Sequence, residues 1–112
     1  MNLAAAIELV TKHSSESAHQ SMDVVMVRWV GLGWMIFVES SQYMKTLRFE
    51  DRAIGHGGTL VTHEGAIVTF ASSGYWREHL VLWAQENDLA ARLDPSIVSD
   101  LEFQKRSPQM VD

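Results

Sequence analysis

The sequence predicts an α+β domain: an N-terminal helix, a four-stranded mainly antiparallel sheet, a Trp-bearing helix packed on the sheet, and a short C-terminal extension. Three observations carry this expectation. Apolar residues recur at helical spacing in the first part of the chain and again after residue 74. Between them lie four short β-branched and aromatic runs. Two of those runs are separated by Glu64 and Gly65, a tight hairpin signal.

Residues 2 to 13 read as the first helix, with Asn2 as its cap and Leu3, Ile7 and Val10 on the side opposite Glu8 and Lys12. HSSESAHQS (13–21) reads as a polar connector, which leaves His13 and His19 solvated. DVVMVRWVG (23–31) and GWMIFVES (33–40) form either an antiparallel pair or one long strand bent at a glycine. In the second run Trp34, Ile36 and Val38 share one face, and Met35, Phe37 and Glu39 the other. Both faces are largely apolar, so this strand is expected to be central and covered on each side.

SQYMKTLRFEDRAIGHGG (41–58) is the long polar stretch and the best candidate for an excursion out of the sheet. TLVTH (59–63) and AIVTFAS (66–72) follow it, joined by the two-residue Glu64–Gly65 loop. The pleat puts Ile67, Thr69 and Ala71 on one face, and Ala66, Val68 and Phe70 on the other. Ser72 or Ser73 caps the next helix, from Gly74 to about Asn87, with Trp76, His79, Leu80, Trp83 and Ala84 as its stripe. The two tryptophans read as the plug that seats this helix on the sheet, and His79 as a hydrogen-bonded core residue. Asp88 caps a short turn through Leu93, and Asp94 with Pro95 opens a last helix. After Gln104 the chain reads as a frayed end, giving one domain over 1–104 and a flexible tail over 105–112.

A chain of 112 residues, 46% apolar and 21% charged, has the composition of an ordinary globular domain. The absence of cysteine removes disulfides, thiolate nucleophiles and Cys-containing zinc sites, and suits a reducing compartment. MNLAAAIELV lacks a basic leader and carries Glu8, and the longest apolar run, Trp29 to Val38, is about half the length of a spanning helix. These features predict a cytoplasmic protein with no membrane partner. A net charge of −5 with scattered Lys and Arg argues against nucleic acid and suits a basic protein partner.

No catalytic pattern is complete. Gly55, Gly57 and Gly58 are not followed by Lys and lead into a strand, so they do not make a phosphate-binding loop. HEGAI begins like a zinc-binding H-E-x-x-H but has Ile67 in fifth place. His56, His63 and Glu64 leave open a two-histidine carboxylate site and, with it, a small metal-assisted hydrolase. There is no G-x-S-x-G elbow, and the acids Glu50, Asp51, Glu64 and Glu78 are not positioned together by any pattern. The expectation is a protein without catalysis, metal or cofactor. A chaperone-like adaptor is a third reading.

Trp34, Ile36 and Phe37, then Ser40 or Ser41, Tyr43 and Thr46, Gly55, the Glu64–Gly65 turn and Ser72–Ser73 follow one another in an order that resembles the immunity protein 35 family of bacterial polymorphic toxin systems. The likeness covers about residues 33–83; His56 stands where that family usually has Asn, and Gly58 where it usually has Pro. The resemblance implies a cytoplasmic immunity protein that binds one cognate toxin or effector and occludes its active site. The surface expected to make that contact comprises Tyr43, Arg48, Glu50, Asp51 and His56 in the excursion, with His63 and Glu64 at the hairpin tip.

Overall fold

A computed structural model describes residues 1–53, 57–71 and 75–111 of the chain, the last five through their backbone. The order is α1 (Leu3–Ala18), β1 (Met22–Trp29), β2 (Gly33–Ser40), α2 (Ser41–Thr46), a 3-10 turn (Phe49–Asp51), β3 (Thr59–Thr62), β4 (Ile67–Thr69), α3 (Trp76–Glu86), a second 3-10 turn (Ala90–Arg92) and α4 (Pro95–Val111). The strands form one antiparallel sheet in the order β1-β2-β3-β4. This is the expected α+β architecture.

The alternation along β2 separates two cores. Ile36 packs with Val61, Ala6 and Val10, so α1 covers one face. Met35 packs with Leu60, Leu80, Ala84, Leu93 and Ile97, so α3 and α4 cover the other. Trp76 and Trp83 lean on this second core as half-buried seals, with Trp76 edge-on to Phe37 at 5.5 Å between ring centroids. The helical stripe of α3 is thus the one its sequence spacing gives. Its Tyr75 cap makes no side-chain cap bond, and the expected Ser72–Gly74 start lies outside the described residues.

Gly31 and Leu32 turn β1 into β2 as a hairpin, with the Val30 amide bonded to the Gly33 carbonyl at 2.9 Å. Gly31 has φ +96°, and a Cβ there would stand 2.2 Å from the Arg92 carbonyl oxygen. The chain entering α4 is docked against this turn, with the Asp94 amide donating to the Val30 carbonyl at 2.9 Å. Asp94 also caps α4 as expected, accepting from the Ser96 amide at 3.0 Å.

Three sequence expectations are corrected. The first helix does not end at residue 13: HSSESA continues it to Ala18, and Ser14 is buried on the same side as Ala6 and Val10. Serine is tolerated in a helix whose face is covered, and tertiary packing overrides its preference for loops. Leu3, assigned to the inner stripe, is instead exposed. The β3–β4 loop has three residues, His63 to Gly65, because Thr62 pairs with Ala66 and the Gly65 amide closes a turn onto the Thr62 carbonyl at 2.8 Å. Gly65 has φ +97°, the left-handed position that such a three-residue hairpin requires.

Candidate functional site

The excursion expected after β2 is a folded loop with its own ties. Ser40 ends β2 and caps α2, its Oγ accepting from the Tyr43 amide at 3.2 Å. Leu47 closes α2 in the left-handed conformation, φ 55°, with its amide bonded to the Tyr43 carbonyl at 2.7 Å. Thr46 then joins α2 to the following turn: its hydroxyl donates to Asp51 and accepts from the Arg48 amide.

Glu39 fastens the far end. Glu39 is 8% exposed, and its carboxylate accepts from the Ser40 and Ala53 amides at 2.8 and 2.7 Å and takes the Arg52 Nε–H at 3.1 Å. Burial alone would raise its pKa; the Ala53 and Ser40 amides and the Arg52 guanidinium outweigh burial and hold it below the ordinary carboxylate value. Arg52 lies over the Tyr43 ring at 5.4 Å, linking the start of the excursion to its end.

These ties present apolar groups to water. Leu47 is 71% exposed and Phe49 73%, with Met44 half-exposed beside them. Arg48 and Glu50, between and after them, form an ion pair on the same surface. A groove of about 390 Å³ runs alongside, lined by Val25, Phe37, Tyr43, Met44 and Arg52. Val25 is the bulged residue of edge strand β1, where the register shifts between Val24 and Met26.

The remaining expected contact residues lie elsewhere. His63 and Glu64 sit at the β3–β4 turn beside the Gly33 end of β2, with His63 at 6.5 Å from the Trp34 ring and Glu64 paired to Arg92 at 2.9 Å. That hydrogen bond from Arg92 lowers the Glu64 pKa. The length of β2 separates this turn from the excursion by roughly 20–25 Å. Tyr43, Arg48, Glu50 and Asp51 therefore form one group, and His63 and Glu64 another. His56 lies outside the described residues.

Two of the acids in the first group are already engaged, Glu50 by Arg48 and Asp51 by Thr46, which leaves the apolar side chains as its free features. Leu47 and Phe49 do not stand out in the sequence, because they alternate with charges in a stretch whose average is polar. The signal for Glu39 was present: an acid at an inward position of an apolar strand needs partners, and a polar loop that returns to the strand end supplies them. Among the described residues no group of three or more His, Asp and Glu side chains could hold a metal ion, and no helix is long and apolar enough to cross a membrane. Comparison with family models, with curated proteins and with solved structures gives no match.

Proposed function

We propose that this chain is an immunity protein that binds a cognate bacterial toxin or effector in the cytoplasm and covers its active site, performing no catalysis itself. The observation that carries the reading is the pair Leu47 and Phe49, held out to solvent on an excursion that is tied at both ends. Large apolar groups on a preorganised support are the anchors from which a standard-size interface draws most of its affinity. The charged side chains around them form the polar rim, and the net charge of −5 steers a basic partner toward the surface. The resemblance of residues 33–83 to the immunity protein 35 family supports the same reading.

The test is co-expression with the protein encoded next to this chain, followed by titration of the purified pair. A stable complex that protects cells from the toxin is expected, with Leu47→Ala and Phe49→Ala each weakening it by about 30-fold or more. Glu64→Gln, at the opposite end of β2, leaves the affinity unchanged. A partner that binds equally well to both anchor variants would place the interface elsewhere, and the lack of any complex with a neighbouring toxin would remove the proposal.

A further inference from the structure

Beneath α1 the contact between helix and sheet changes character along its length. At one end Ala6 and Val10 meet Ile36 and Val61 in a dry contact. One to two turns later the same face of α1 carries His13, Ser14 and Ser17, and the sheet answers with Thr59 and Thr69. These two threonines are direct cross-strand partners on β3 and β4, so their side chains stand together on the α1 side, as Val61 does two residues on. Between the two surfaces lies a cavity of about 220 Å³, with Val38 as an apolar wall.

Ser14 is 5% exposed and Thr59 4%, yet neither hydroxyl has a hydrogen-bond partner among the described residues. Among those residues the one fully enclosed side-chain polar atom without a partner is the Arg77 Nε. The hydroxyls of Ser14 and Thr59 are therefore not sealed in; what surface they keep opens onto the cavity they line. Buried polar groups are ordinarily satisfied, and groups left open in a recess are satisfied by what enters it.

The chemistry of that occupant follows from the walls. The described lining has no carboxylate, lysine or arginine, so it offers nothing to balance a cation and no fixed positive charge for an anion. The cavity also sits against the last turns of α1, where the helix dipole is negative and disfavours an anion. Hydroxyls both donate and accept, which matches a ligand bearing hydroxyls of its own. The volume is below the roughly 300–1,000 Å³ of pockets that take larger ligands. We propose that the cavity between α1 and the β3–β4 edge of the sheet binds a small, neutral, polyhydroxylated molecule about the size of one sugar ring. This site lies on the α1 face and does not depend on the toxin-binding reading.

Titration of the full chain with glucose, galactose and mannose, followed by amide NMR shifts, tests the proposal, with inorganic phosphate and acetate as charged arms. At least one sugar is expected to give saturable shifts centred on Ser14, Ser17, Thr59 and Thr69, and the two anions none. Thr59→Val keeps the shape of the side chain and removes its hydroxyl, and is expected to weaken the sugar about tenfold. Ser14→Ala, a change that favours the helix, carries the same expectation should the strand variant fold poorly. No saturable response to any sugar, a stronger response to phosphate or acetate, or unchanged affinity in the folded variants would overturn it.

Discussion

The buried Glu39 carboxylate and Arg52 meet at 3.1 Å, so the chain returning from the excursion is bolted to the end of the strand that launched it. The Ala53 and Ser40 amides complete the clasp on the other carboxylate oxygen. Glu39→Gln removes the charge that strengthens these bonds and turns one acceptor into a donor facing donors. It is expected to lower stability by about 1–3 kcal/mol, read from the urea midpoint at pH 7. Because the folded pKa of Glu39 lies below its ordinary value of 4.5, the stability it contributes is present above that value and is lost as pH falls through the folded pKa. The gap between wild type and Glu39→Gln should therefore narrow on acidification below pH 4.5. A gap that stays constant or widens there would contradict the clasp.

Under the proposed function, Leu47 separates stability from binding. A branched side chain at φ 55° carries a backbone cost of roughly 1–2 kcal/mol that glycine escapes. Its side chain is mostly in water and leaves no cavity when removed. Leu47→Gly is expected to raise the thermal midpoint slightly and, under the proposed function, to weaken the complex with a toxin. A variant that loses stability would show instead that Leu47 supports the loop by packing.

How much of this was legible in the sequence depends on what fixes each feature. The period-2 pattern of β2, with Ile36 and Met35 turned to opposite faces, is imposed by the pleat and could be read directly, as could the Asp94–Pro95 helix start. The C-terminal half of α1 could not, because HSSESA has the composition of a loop and is helical only where the sheet gives Ser14 a surface to cover. The hairpin at Gly65 was visible but its length was not: whether His63 ends the strand or begins the turn is decided by where Thr62 pairs across to Ala66. The excursion after β2 was legible in chain position, and the engagement of its individual side chains was not. Glu50 and Asp51 are occupied by Arg48 and Thr46, whereas Leu47 and Phe49 stay unburied.

At Gly31 the β1–β2 turn lies directly against the chain entering α4. A methyl group there would lie 2.2 Å from the Arg92 carbonyl oxygen and 2.5 Å from the Asp94 amide nitrogen, at a φ of +96°. Both obstacles are backbone, so neither can swing aside. Gly31→Ala is expected to cost about 2–4 kcal/mol and to lower the melting temperature by roughly 10 °C or more. Retention of the wild-type melting temperature would mean that α4 does not rest on the β1–β2 turn.

The same docking is reinforced by one carboxylate facing two guanidinium groups. Asp100 on α4 accepts from Arg28 of β1 at 2.6 Å and lies 3.9 Å from the buried Nε of Arg77 on α3. Arg28 also reaches Ser96 at 3.3 Å, and Arg77 reaches Gln104 at the same distance, so both arginines hold α4 along one side. The pair is half in water, which places its own contribution near the upper end for surface pairs, about 1 kcal/mol. Asp100→Asn should exceed that, because Arg77 Nε then has no anion near it, and Arg77→Ala in the same background should recover part of the loss. A double-mutant cycle on Asp100 and Arg77, read by chemical denaturation, is expected to give a coupling of about 0.5–1 kcal/mol. Strict additivity of the two substitutions would mean that Asp100 serves Arg28 alone and that α4 is held to α3 by its apolar side, through Ile97 against Leu80 and Ala84.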